Sequence, residues 1–504
     1  MTQTSLLARP EAPGSLEPVR PQADRTSWLA RHPAWPITAL LAGFPLWWAL
    51  GFGDYIWILL AVPMAARLYA WSASGNRKIR VPPGFALWLL FLLVVVVGVA
   101  TISAIAPGTL ASPVSNRIIS YGVRTVGYLA ATAMLLFVGN LTERELPRKR
   151  LAWLLGLVGL YTIAGGLLGV FFAHLRFTAP LAAIVPHRLQ AGNQVLQAQL
   201  HPAFAQLQSV LGSSGRPDAP FAYTNNWGNC LALLLPWLIA QWWCHGTRRQ
   251  RLIAAAGLTV AMVPIIFSLN RGLWIALIFG VVYIAVRLAA TGRLAVLGGL
   301  IAGLVIVGVL IGATPLQGMI SARLANGASD SRRGSLAVTA TQDAVASPLV
   351  GFGDTRHQQG SVQSVTVGRS AKCPTCGNGT IGGNGQLWLL FVCNGFLGAG
   401  LYLGFFAYGV GRYWRDRSPY GLAGVLVVLL MFIFMFSYTA TGAPLGFLML
   451  SYAMLWRNAR AQRQQAAAAQ AGHDAARLAG RPALASGPAL TRTAIRAPAA
   501  GAEF

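Results

Sequence analysis

Read from its amino terminus, the chain alternates long apolar stretches with short polar connections. Twelve such stretches follow one another, at 35–52, 55–73, 85–105, 118–139, 151–172, 223–244, 252–269, 271–290, 294–313, 385–410, 420–437 and 441–456. Runs of about 17–25 apolar residues predict membrane-spanning helices, since a helix rises about 1.5 Å per residue across a hydrocarbon layer about 30 Å thick. Gly53-Asp54 alone joins the first two, which predicts a tight helical hairpin. The last two are parted by Thr439-Ala-Thr-Gly-Ala-Pro444, whose Gly and Pro break a helix. Reading through that break leaves eleven spans instead of twelve.

Two connections are long, 173–222 and 314–384. In the first, Leu189, Leu196, Leu200, Phe204, Leu207 and Leu211 recur at sevens, fours and threes, which predicts an amphipathic helix. It would lie on the membrane interface, pack as a lid on neighbouring spans, or do both. Long loops in compact proteins are usually functional.

Composition agrees with the pattern. Hydrophobic residues make up 55% and charged residues only 10%, against about 25% charged in a soluble domain. With a mean hydropathy of +0.55, this excludes an ordinary soluble enzyme, a disordered chain and a secreted disulfide scaffold. The expected class is an all-α polytopic membrane protein.

The net charge of +26, from 39 Lys+Arg against 13 Asp+Glu, raises the question of nucleic acid. Its distribution answers it. Arg77, Lys78 and Arg80; Arg144, Arg148, Lys149 and Arg150; Arg248, Arg249 and Arg251; Arg287 and Arg293; and Arg412, Arg415 and Arg417 occupy every second connection. The short connections between them hold only Arg117 and Arg271. Basic residues mark cytoplasmic loops, so both termini are expected inside and most of the charge is orientation signal. No nucleic-acid partner is implied. Residues 1–33 carry no apolar run and predict a disordered cytoplasmic tail; 34–456 form the membrane domain; 457–504 form a basic cytoplasmic tail, helical at first, near anionic lipid.

The same topology places both long connections outside. Arginine is costly near a membrane unless a partner or water-filled cavity receives it. Arg124 lies about two turns into the fourth span, Arg271 follows Ser268-Leu-Asn, and Arg216 precedes Pro217-Asp218. Each is read either as a snorkelling or structural arginine or as an anion ligand. Few outer acids oppose them (Asp54, Asp218, Asp330, Asp343 and Asp354), and guanidinium forks suit a diphosphate. There is no Asp-x-Asp pair to hold a metal–nucleotide and no Walker motif; no metal or cofactor is expected. Cys373-Pro-Thr-Cys376 in the large loop favours a local disulfide over half a zinc site, as no second pair lies near it. Trp227 and Trp388 are candidate faces for sugar rings, although anchoring in an aromatic belt is the simpler reading of both.

Four fragments, in order, carry a resemblance. They are Arg216-Pro-Asp-Ala-Pro-Phe-Ala-Tyr-Thr-Asn-Asn-Trp with Leu231-Ala-Leu-Leu-Leu-Pro236; Ser268-Leu-Asn-Arg271-Gly272; Arg332-Arg333 with Pro348-Leu-Val-Gly-Phe-Gly353; and Asn384-Gly-Gln-Leu387 with Asn394-Gly-Phe-Leu-Gly398. Over roughly 215–410 the chain resembles the bacterial O-antigen ligase and polymerase family. The resemblance implies a GT-C-type membrane glycosyltransferase in the cytoplasmic membrane, with a polyprenyl-diphosphate-linked glycan as donor and a glycan, lipid or protein as acceptor. It implies metal-independent, inverting transfer, with Arg124, Arg216, Arg271, Arg332 and Arg333 on the diphosphate. The family's loop histidine corresponds to Asn384, which is no base at neutral pH. Either His357, Asp354 or Asp330 takes its place, or proton removal is late and needs no strong base, or the chain is a non-catalytic relative. A carrier of lipid-linked saccharide remains the competing class, though no internal repeat of the kind carriers show is present.

Overall fold

The computed structural model describes residues 32–75, 77–110, 112–186, 190, 194–207, 215–290, 298, 328–358 and 379–479, with the backbone alone at 194, 328–332 and 474–479. The apolar stretch 294–313 (apart from Gly298), Cys373, Cys376, the side chains of Asp330 and Arg332, and both chain ends lie outside the described residues.

The chain is built mainly of helices: α1 Trp35–Ala42, α2 Phe44–Ala49, α3 Ile56–Ala73, α4 Phe85–Val97, α5 Val114–Asn140, α6 Arg148–Phe171, α7 Gln194–Leu200, α8 Thr224–Trp237, α9 Arg248–Phe267, α10 Arg271–Ala289, α11 Ala328–Ala346, α12 Gln386–Tyr413, α13 Pro419–Phe434 and α14 Ala443–Ala479. Two small antiparallel hairpins interrupt them, β1 Ala205–Leu207 with β2 Gly215–Pro217, and β3 Arg356–His357 with β4 Thr380–Ile381. Among the described residues, six helices, α3, α5, α6, α9, α10 and α12, are long and apolar enough to cross a membrane. Outward faces are apolar too: Leu89, Leu90, Leu93, Val96 and Val97 on α4, and Ile275, Ile278, Val282 and Val286 on α10, are exposed. A surface of this kind is stable against hydrocarbon, and helices satisfy their own backbone there.

Local chemistry sets the helix ends. Thr247 and Gln250 form a reciprocal capping box at α9, Asn270 caps α10 by accepting from the Leu273 N–H, and Ser418 caps α13 with Pro419 in its first turn. The core joins α3 to α5, α4 to α12, α6 to α8 and α13 to α14. Trp88, Phe91, Tyr128, Tyr402 and Phe405 interlock at its centre. α8 continues as a π-helical turn, Leu238–Cys244, and α4 as a 3₁₀ turn, Gly98–Thr101.

One expectation is corrected. The apolar stripe from Leu189 to Leu211 is not one helix: α7 stops at Leu200, and Ala205–Leu207 pairs with Gly215–Pro217. Leu200 is buried where Ala179 N–H bonds its carbonyl, and the chain then turns into the hairpin. Spacing cannot distinguish a folded-back strand from another helical turn. α14 runs from Ala443 to Ala479, across the expected start of the tail at 457.

Candidate functional site

Helices that alternate in direction bring alternate connections to the same end of the bundle. One end gathers the described residues of 50–55, 98–110, 112–113, 172–186, 194–207, 215–223, 268–270, 347–358, 379–385 and 435–442. Hydrogen bonds tie these segments together: Gln199 to Asp54 at 3.1 Å, Arg216 to the Ser268 carbonyl at 2.6 Å, the Gln386 N–H to the Tyr438 carbonyl at 2.9 Å, and Ala440 N–H to Gln386 at 2.8 Å. The described candidate residues, except the buried Trp227, lie in or beside these segments.

The motifs at 348–353 and 394–398 are two halves of one joint. Gly395 sits inside α12 at φ 65°, a left-handed conformation that breaks the helical ladder. The freed carbonyls of Val392 and Cys393 accept the N–H groups of Phe352 (2.7 Å) and Gly353 (3.1 Å), while Leu397 N–H donates to the Pro348 carbonyl at 3.0 Å. A Cβ on Gly395 would stand 2.5 Å from that Pro348 oxygen. The loop is thereby inserted into the helix.

That insertion delivers Asp354 to Arg124. The Arg124 guanidinium donates to Asp354 Oδ1 at 2.5 Å, to the Gly353 carbonyl at 3.2 Å and to Cys393 Sγ at 3.0 Å. Asp354 is therefore the counter-ion of Arg124, which corrects its standing as a candidate base: accepting a proton would undo the ion pair. Arg117 and Arg356 converge on the end of α4. Arg117 donates to the Ile102 carbonyl at 2.9 Å and Ser112 carbonyl at 2.6 Å; Arg356 reaches Ile102 at 3.2 Å, Phe352 at 3.0 Å and Asp354 at 2.8 Å, all carbonyls. Burial, and then the Arg117 charge, pull the Arg356 guanidinium below its ordinary value. These two arginines fasten the loop.

Register separates the neighbours in β3. Arg356 pairs with Ile381, which packs on Leu336 and Ala340 of α11, and Gln358 bonds Thr339 of the same helix at 3.2 Å. Alternation then turns His357 and its partner Thr380 to the other face. His357 is half-buried, and its Nδ1 has no hydrogen-bond partner among the described residues. Burial pushes the imidazole below its ordinary value against the pull of Asp354, so it is neutral at pH 7.

Asp343, on the hairpin-facing side of α11, stands in the sequence only as one of the few outer acids, with no role attached. It is fully buried, and neither carboxylate oxygen has a hydrogen-bond partner among the described residues. Burial pushes its carboxyl up to about 7, with Arg356 pulling the other way.

A second group surrounds Tyr438. Its hydroxyl bonds Asn270 Oδ1, beside the first residue of α10, the half-buried Arg271. Arg333 and Arg216 both lie near enough to draw the phenol's ionisation down, against the larger opposing effect of burial. Asn384 donates to the Arg333 carbonyl at 3.2 Å. Arg216 and Arg333 thus lie near one tyrosine whose hydroxyl bonds Asn270; Arg271 follows Asn270 in sequence, and Asn384 reaches the group through the Arg333 backbone.

The aromatic candidates part company. Trp227 is fully buried, its indole donating to the Thr162 carbonyl at 2.9 Å and pressed on Gly166. It is a packing residue, which corrects the expectation of a sugar-facing ring. Trp388 is half-buried and lines an open apolar groove with Ala337, Val338, Thr341, Gln342 and Val345. Its indole donates to the Phe436 carbonyl at 3.1 Å.

No protein-family model, curated protein or solved structure matches the chain.

Proposed function

We propose that the chain is a membrane glycosyltransferase of the O-antigen ligase and polymerase kind. It moves a glycan from a polyprenyl-diphosphate carrier to a hydroxyl of a glycan, lipid or protein acceptor. The proposal includes twelve crossings in a GT-C-like arrangement, both termini in the cytoplasm, and a site on the outer face of a bacterial cytoplasmic membrane.

The observation that carries it is the proximity of Arg216 and Arg333 to Tyr438, whose hydroxyl bonds Asn270 beside Arg271, at the end of the bundle that also holds Arg124 and His357. Chemically, the acceptor oxygen attacks the anomeric carbon as the bond to the diphosphate breaks. The bonding pair leaves with the diphosphate, and the acceptor proton passes to a base. Charge grows on the leaving diphosphate, where preorganised guanidinium groups are most effective. We assign the base to His357, whose neutral ring keeps an unpartnered nitrogen. Asn384 positions the backbone of Arg333.

The test is transfer by the purified chain from a radiolabelled polyprenyl-diphosphate oligosaccharide, with EDTA present and a panel of acceptors. Labelled product without divalent metal is expected. No product with any acceptor, together with saturable flipping of the donor in liposomes, would replace the enzyme by a carrier.

A further inference from the structure

The opposite end of the bundle holds a second concentration of charge. Arg77, between α3 and α4, and Arg460, on α14, donate to the carbonyls of Asn140 and Gly139, the last two residues of α5. The Arg77 guanidinium lies 4.6 Å over the Trp71 ring, and that of Arg460 4.6 Å over Trp456. The buried Asn140 fixes a third residue by its backbone, accepting from the Arg80 N–H at 2.9 Å and donating to the Arg80 carbonyl at 2.8 Å. Three arginines from two segments, the α3–α4 connection and α14, are thus held around one helix terminus.

Their balance is incomplete. Glu145 bridges Arg77 at 3.1 Å, and Glu143 is engaged by Arg148 (3.1 Å) and Arg457 (3.0 Å). The α5 terminus supplies about half a negative charge, so three guanidinium groups face roughly one and a half charges of opposite sign. Their mutual repulsion is felt at Arg460: burial first, then Arg80 and Arg77, pull its guanidinium below the ordinary value.

We propose that Arg77, Arg80 and Arg460 form a site for the phosphate of an anionic membrane phospholipid. The surroundings favour a lipid over free phosphate. Trp71 is stacked on Phe137 at 5.6 Å, and α3 continues from it with Leu59, Val62 and Tyr69 exposed, an apolar flank along which acyl chains can lie. Guanidinium groups resting on tryptophans at the end of apolar helices match the chemistry of the membrane–water boundary. The site is independent of the glycosyl-transfer reading.

The test is titration of the full-length chain in detergent micelles with short-chain phosphatidylglycerol, short-chain phosphatidylcholine or inorganic phosphate. Phosphatidylglycerol should bind and phosphatidylcholine should not. Arg80→Gln is the chosen variant, because Arg80 is exposed and anchored through its backbone. It should weaken binding about fivefold, Arg80→Lys should retain most of it, and the exposed Arg249→Gln at the same end should leave it unchanged. Melting temperature and elution volume report whether each variant is folded. Equal binding of the two lipids, or full binding by a folded Arg80→Gln variant, overturns the site. Inorganic phosphate binding as tightly as phosphatidylglycerol overturns the lipid assignment.

Discussion

His357 and Asp343 are two ionisable groups on either side of one hairpin, and burial moves them in opposite chemical directions. The imidazole loses its proton more easily than usual, and the carboxyl holds its proton longer. If His357 is the base, it works only when neutral. Transfer should fall as pH drops through an ionisation below the ordinary histidine value of 6.5, and stay level above it. His357→Ala should cost about 10²–10⁴ in rate and remove that acid limb, as a pH–rate profile will read. Asp343 has the sign of a stability cost. Its folded value of about 7 exceeds its ordinary 3.8, so the folded state holds the extra proton and stability is lost as pH rises from about 4 through 7. Asp343→Asn should therefore melt about 1–2 °C above the parent at pH 8 and level with it at pH 4. The sequence offered both residues, but only the pairing of Arg356 with Ile381 and the packing on α11 assign them different roles. Nothing in the local sequence marks Asp343, whose character comes from enclosure by a distant hairpin.

Helices were largely legible in the apolar runs, because a span must be apolar over most of its length and polar groups collect where it stops. What the runs hid were the breaks. The Leu189–Leu211 stripe satisfied a helical period, yet half of it folds back as β1, since apolar residues in a short hairpin can keep the same spacing. The Gly395 break was equally hidden: its glycine was read as part of a motif, and its mechanical use appeared only with Phe352 and Gly353 on the released carbonyls. Gly395→Ala should cost about 1–3 kcal/mol for the left-handed backbone alone, with displacement of the Pro348 loop in addition. Gly400→Ala on the same helix meets nothing within 4 Å and should be neutral to stabilising by about 0.5–1 kcal/mol. Thermal unfolding of the two variants checks the contrast; similar losses for both would show that the joint carries no strain-sensitive role.

At the scale of the molecule, charge divides between two ends. Arginines at one end pair with Glu143 and Glu145, donate to the Asp416 carbonyl, or rest on tryptophans. Those at the other gather around Tyr438 and Asp354. The alternation of basic connections made this division readable in the sequence, whereas the approach of Arg216 and Arg333 to Tyr438 required the folded chain. In a cysteine-free background, Ile184→Cys at the site end should react with a membrane-impermeant maleimide in intact cells. Ser74→Cys at the other end should react only after permeabilisation; the reverse pattern would invert the proposed topology. The most direct measurement of the central claim is release of polyprenyl diphosphate from a lipid-linked oligosaccharide by the parent chain, Arg271→Ala and Arg249→Ala. The account predicts a loss of about 10²–10³ for Arg271→Ala and parental release for Arg249→Ala. Equal release by all three, or none from the folded parent with any acceptor, would contradict it.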